Sequence, residues 1–196
     1  MERTELPFRV CVVALWLLGL GVRVYYQRKV RGVTRTGARG VRRDTILYYV
    51  VFASYLLPLV YALSPVLDFA HVDVPAALRW AGAVLGVGAL ALFASTHRAL
   101  GRNWSGVVEI SHRHTLVTSG PYERVRHPMY SALLATAVAN ALLTANWLVA
   151  LVMVGATVAM YLARVRDEER LMLEYFGDAY RAYMRRTGRL LPKLWY

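Results

Sequence analysis

Long apolar blocks constrain this chain more than any other feature. Leu6–Tyr26, Thr45–Leu67 and Ala76–Leu100 each approach or exceed the ~20 residues a helix needs to cross a hydrocarbon core. Two further blocks, Met129–Leu143 and Trp147–Leu162, are joined by the short connection Thr144–Trp147 and read as a helical hairpin. Lipid leaves no backbone group unsatisfied, so only helices and closed barrels span it. The expected fold is an all-α integral membrane protein with five transmembrane helices. Met129–Leu143 is short for a span, so tilt or local thinning of the bilayer is expected there. Pro58 is expected to kink the second span. Gly82 and Gly86, four residues apart in the third, suit close approach of another helix.

Charge sets the topology. The formal net charge is +12. Gln27–Asp44 holds seven Lys/Arg against one acid and reads as a solvated linker. Arg98, Arg102, Arg113, Arg124 and Arg126 surround the next basic connection, and the tail from Arg164 onward carries eight Lys/Arg. Asp68–Pro75 has two Asp and no Lys or Arg. Basic loops stay cytoplasmic, which predicts a cell-membrane protein with its N-terminus outside and its C-terminus inside. Because the basic residues border apolar blocks, they mark membrane flanks rather than a nucleic-acid face. The first block runs into Arg23 without a small-residue cleavage site, so it reads as a span rather than a signal peptide. The single cysteine, Cys11, excludes an intramolecular disulfide and any multi-cysteine metal site. His112 and His114 have no partner at helical ligand spacing, so no metal site is expected. No Gly-x-Ser-x-Gly, phosphate loop or βαβ nucleotide unit is present.

The stretch His114–Tyr130, HTLVTSGPYERVRHPMY, fits neither a span nor a charged linker. Gly120-Pro121 and His127-Pro128 stiffen it where it enters the next helix. A second constellation, Arg164, Asp167, Glu168 and Glu169, stands at the inner end of the last span. Arg164 and Glu168 are four apart and share a helix face. Two readings are open there. One is a simple ion pair where the helix surfaces; the other is a carboxylate for a cationic ligand beside an Arg for an anionic one. The tail after Arg164 reads as an interfacial helix carrying Leu171, Leu173, Tyr175, Phe176, Tyr180, Tyr183 and Met184, bent at Gly177 and ended by Gly188 and Pro192. Loop and tail together suit a zwitterionic, aromatic-bearing ligand at the cytoplasmic interface.

HTLVTSGPYERVRHPMY, followed by RVRDEERLMLEYFGDAYRAYMRRTGRLLP, resembles the isoprenylcysteine carboxyl methyltransferase family, and its smaller prokaryotic members most. The resemblance spans roughly Leu100–Pro192. It separates the N-terminal spans, residues 1–99, from a catalytic region, residues 100–196. It implies an S-adenosylmethionine-dependent methyltransferase whose cofactor is held by a cytoplasmic loop and the tail rather than by a nucleotide-binding domain. His114, Thr115, Leu116 and Val117 would line the cofactor pocket, with Tyr122, His127, Pro128, Met129 and Tyr130 completing it. Glu168 would contact the cofactor. Glu109 stands where the family has a polar cofactor contact. Arg164 would bind the acceptor's carboxylate, making Arg164 and Glu168 the catalytic pair. Met129 departs from the small residue usual after the Arg-His-Pro motif, which alters the shape of the pocket.

The partners implied are the bilayer and a lipophilic, isoprenylcysteine-like acceptor. A carboxylate acceptor is already nucleophilic at neutral pH, so alignment and dryness matter more than a general base. Three alternatives compete. A phospholipid or amine N-methyltransferase would need a path for the amine's proton. A sterol-type membrane reductase would bind NADPH. A non-enzymatic relative would bind neither cofactor.

Overall fold

A computed structural model of the chain describes residues 5–29, 35–36, 41–103, 110–111 and 115–193. The apolar blocks form helices: α1 (Leu6–Lys29), α2 (Val41–Ser54), α3 (Leu57–Leu63), α4 (Ala76–Leu100), α5 (Pro128–Thr144), α6 (Trp147–Phe176) and α7 (Asp178–Arg186). The strands among the described residues are a two-residue antiparallel pair, β1 (Arg35–Thr36) and β2 (Ile110–Ser111). Four helical stretches are long and apolar enough to cross a membrane: Leu6–Lys29, Arg42–Leu63, Ala76–Leu100 and Trp147–Phe176. The chain is an integral membrane protein of helical build. The fifth apolar helix, α5, has 17 residues, in line with the shortness of its apolar block.

Pro58 acts where a proline should. It has no N–H to continue the helix, and α2 and α3 meet at a turn over Tyr55 and Leu56, with Pro58 in the first turn of α3. The α5–α6 connection is built by Ala145 and Asn146. Ala145 takes a left-handed backbone (φ 46°), and Asn146 caps α6 by accepting from Val149 N at 3.1 Å. Asn146 Nδ2 also donates to Leu67 O at 2.7 Å, which anchors the hairpin to the α3–α4 connection.

Helix α4 packs closely on α5 at Gly82 and on α1 at Gly86. A Cβ on Gly82 would lie 2.7 Å from Leu142 Cβ, and one on Gly86 would lie 2.6 Å from Leu15 Cδ1. The close helix approach expected at these positions is present. At the far end of the bundle Arg79 binds both Glu5 oxygens, at 2.5 and 2.8 Å, and donates to Leu143 O at 2.9 Å. This buried guanidinium ties α1, α4 and α5 together, and its carboxylate partner offsets much of the desolvation cost.

Two sequence expectations change. The basic linker was expected to extend through Asp44, but α2 begins at Val41 and the Asp44 side chain is fully buried. The tail helix was expected as a separate interfacial element from Arg164. Instead α6 continues unbroken to Phe176, about 45 Å in all. Gly177 (φ 53°) then turns the chain into α7.

Candidate functional site

The loop leading into α5 takes its shape from a few residues. Gly120 (φ 61°) occupies a region closed to most side chains and starts the single turn Gly120–Glu123. That turn buries Tyr122, whose carbonyl accepts from Tyr183 Oη on α7 at 2.6 Å. Pro128 occupies the first position of α5, where its missing N–H costs nothing.

The tail then straps the loop. Arg126 N donates to Gly188 O at 2.8 Å, His127 N to Arg189 O at 2.9 Å, and Gly188 N to Arg124 O at 3.1 Å. A Cβ on Gly188 would collide with the Leu191 carbonyl, so only glycine fits this crossing. Ser131 Oγ extends the strap by donating to Leu190 O at 2.6 Å.

Two adjacent carboxylates on α6 organise the interior of this junction. Glu169 is almost fully buried. It accepts from Arg126 Nε at 3.1 Å and from Arg189 Nε and Nη2 at 3.2 and 2.7 Å. His127 Nε2 lies 3.3 Å from the same carboxylate. Arg126 also donates to the Thr187 and Met184 carbonyls. Glu168 accepts from Tyr130 Oη at 2.6 Å, and its other oxygen lies 3.5 Å from His127 Nδ1. Arg164 Nε lies 3.3 Å from Glu168 and 4.0 Å from Asp44. Arg43 bridges Asp44, at 3.2 Å, to Asp167, at 2.8 Å.

His127 sits between the two acids. Burial works against its charged form, but hydrogen bonds to Glu168 and Glu169 outweigh that, and its pKa lies above the ordinary 6.5. Burial pushes the Tyr122 phenol well up, and the Tyr183 phenol to about 12. Both remain neutral donors.

A cavity of about 350 Å³ opens between these groups. Of the residues singled out from sequence, Thr115, Leu116, Val117, Tyr122, His127, Met129, Tyr130, Arg164 and Glu168 all line it. Pro128 is buried behind the wall and shapes the turn instead. Glu109 and His114 lie outside the described residues. From its polar mouth the cavity continues between the helices past Leu133 and Met160 as far as Asn140, Met153 and Pro58. The half-buried carboxylate of Glu168 and the buried guanidinium of Arg164 therefore open onto an apolar passage. No group of three or more His, Cys, Asp or Glu able to hold a metal occurs among the described residues.

Sequence reasoning missed three participants: Asp44, Arg43 and the Glu169 hub. Asp44 is the one acid in a basic run, at the first turn of an apolar helix, and that position was its available signal. Glu169 was seen as one of an acidic pair without a role; its partners Arg126 and Arg189 are 43 and 20 residues away.

Residues 83–174 match the model of the isoprenylcysteine carboxyl methyltransferase (ICMT) family. The resemblance drawn from the loop and the acidic pair is thereby borne out. The chain is 35% identical over 123 residues to the cobalt-zinc-cadmium resistance protein CzcN of Cupriavidus metallidurans, covering 59% of this chain and 55% of that protein. It is 34% identical over 97 residues to the protein-S-isoprenylcysteine O-methyltransferase of Xenopus laevis, covering 47% of this chain and 33% of the relative. The chain thus spans about half or less of these relatives. Among solved structures, the eukaryotic intramembrane Ras methyltransferase ICMT shares the fold, with a TM-score of 0.55 and 24% identity over 79% of this chain and 53% of that one.

Proposed function

We propose that this chain, matched to the isoprenylcysteine carboxyl methyltransferase family over residues 83–174, is an S-adenosylmethionine-dependent methyltransferase acting on the carboxylate of a lipophilic acceptor. One observation carries the reading: a single cavity joins a half-buried acid and a buried arginine to an apolar passage between membrane helices. A soluble substrate would not need that passage, and a purely structural ion pair would not need the cavity.

The residues present fit the cofactor. Glu168 offers a carboxylate to a cationic ligand from a wall where Tyr130 already fixes its orientation. Tyr122, Tyr180 and Tyr183 supply rings and neutral phenols beside it. When bound, S-adenosylmethionine supplies an electrophilic methyl group on a sulfonium. Glu168, Tyr122, His127, Met129, Tyr130 and the Thr115–Val117 segment would hold it, with Glu109 and His114 as the remaining contacts carried over from the family. Arg164 would orient the acceptor carboxylate by charge-assisted hydrogen bonding. The apolar walls keep water out, which sharpens each of these interactions. Since the acceptor is already an anion, no side chain has to remove a proton. Alignment of this kind can contribute about 7–11 kcal/mol to the rate.

In this reading α5 crosses the bilayer as a fifth, tilted span. The basic loops and the tail then face the cytoplasm, and α7 lies along the interface. A radiolabelled methyl donor and a panel of acceptors test the proposal. Lipidated cysteine carboxylates should become labelled while aminolipids do not. Labelling of aminolipids alone, or binding of NADPH in place of the methyl donor, contradicts it.

A further inference from the structure

The inner end of the cavity is not what a plain hydrocarbon tail requires. On α5, Met129, Leu133, Thr136 and Asn140 form one stripe at helical spacing along the cavity wall. Asn140 stands ten residues beyond Tyr130, about 15 Å deeper along the helix axis. Met153 and Pro58 line the same cavity.

The neighbouring polar groups that line the cavity are satisfied. Thr136 Oγ1 donates to Ala132 O at 2.8 Å, Tyr55 Oη to Leu133 O at 2.7 Å, and Trp16 Nε1 to Tyr55 O at 2.9 Å. Asn140 is different. Its side chain is more than nine-tenths buried, and its amide makes one hydrogen bond, from Nδ2 to Thr136 O of its own helix at 2.9 Å. Its Oδ1 accepts from no group among the described residues. A carboxamide serving only to hold helices together would bridge to a neighbouring helix. This one turns back on its own helix and presents its oxygen to the cavity. A carboxamide oxygen without a protein partner is an open acceptor, and polar side chains inside a membrane mark ligand paths.

We infer that Asn140 forms a polar subsite at the deep end of the cavity that receives a hydroxyl group carried at the far end of the acceptor's chain. The favoured ligand is a long-chain ω-hydroxy carboxylate: the carboxylate lies at Arg164, the apolar chain fills the passage, and the hydroxyl donates to Asn140 Oδ1. The inference rests on the proposed function for the carboxylate end only. The deep subsite is tested by binding, without any methyl transfer.

Purified protein is titrated calorimetrically with ω-hydroxypalmitate against palmitate, and with ω-hydroxylaurate against laurate, two lengths that bracket the passage. The better-fitting hydroxylated chain should bind about tenfold more tightly than its plain counterpart. Asn140→Leu should abolish that preference while the plain chain still binds. Asn140→Asp, which keeps an acceptor oxygen, should retain the preference. Equal binding of both chains by the parent protein, or a preference unchanged in Asn140→Leu, overturns the inference. If the preference holds but lipidated cysteine carboxylates are not methylated, the proposed reaction fails and the subsite stands.

Discussion

Tyr130 Oη donates to Glu168 Oε1 at 2.6 Å, linking the first turn of α5 to the inner part of α6. The two residues are 38 apart in sequence, and both line the same cavity. The bond fixes the carboxylate that the proposed function assigns to a cationic ligand. Tyr130→Phe should keep the ring packing and lose the donor. S-adenosylhomocysteine should then bind about two- to tenfold more weakly with little loss of stability. Unchanged affinity would mean that Tyr130 does not orient Glu168 for binding.

Arg164 and Glu168 divide the work. Arg164→Ala should leave binding of S-adenosylhomocysteine near parental and lower kcat/KM for carboxylate acceptors about ten- to hundredfold. Titration of acceptor under saturating methyl donor distinguishes the two effects. An equal fall in cofactor affinity would place Arg164 on the cofactor instead.

Glu169 has a structural job. It gathers buried Arg126 and His127 from the loop and half-exposed Arg189 from the tail around one buried carboxylate. Glu169→Ala would leave buried cations uncompensated, and a cost of about 3–5 kcal/mol is expected. Thermal denaturation in a fixed detergent measures it. Hydrogen exchange should rise first in residues 124–127 and 187–190, where the strap pairs with the loop.

His127 gives the junction a pH dependence of known sign. Its pKa in the folded protein lies above 6.5, because Glu168 and Glu169 favour its charged form. The stability it contributes is therefore fully present below the unfolded value, about 6.5, and is lost as pH rises through the higher folded value. The stability gap between the parent and His127→Gln should narrow as pH is raised from 6 toward the alkaline side, with about pH 6.5 as the lower edge of the change. A gap that widens with pH would contradict the assignment.

Gly82 tests the scaffold independently of the chemistry. Its missing side chain lets α5 approach α4, and an added Cβ would stand 2.7 Å from Leu142 Cβ. Gly82→Val should destabilise the protein by about 1–3 kcal/mol by forcing the helices apart. Gly88→Val, with nothing within 4 Å of its added Cβ, is the control and should be nearly neutral.

Much of this was legible in the sequence because it is encoded locally. Apolar blocks of spanning length, the Gly82/Gly86 spacing, the break at Pro58 and the stiff run from Gly120 to Pro128 each follow from a few neighbouring residues. The motifs also placed Tyr122, His127, Tyr130, Arg164 and Glu168 around one ligand space, and all five line one cavity. What escaped depends on contacts between distant segments. A basic run with three glycines looks solvated throughout, so the burial of Asp44 against α6 has no local signature. The continuity of α6 past Arg164 was hidden because charge density there resembles a membrane exit, whereas the loop and tail cover that part of the helix. Glu169 looked like a twin of Glu168 until the loop and tail supplied its arginines.

The central claim is that Glu168 holds the methyl donor. Isothermal titration of the purified protein with S-adenosylhomocysteine, alongside Glu168→Ala, tests it most directly. The account predicts saturable binding to the parent and at least about tenfold weaker binding to the variant. Absence of binding to the parent, or equal affinity in both proteins, would contradict it.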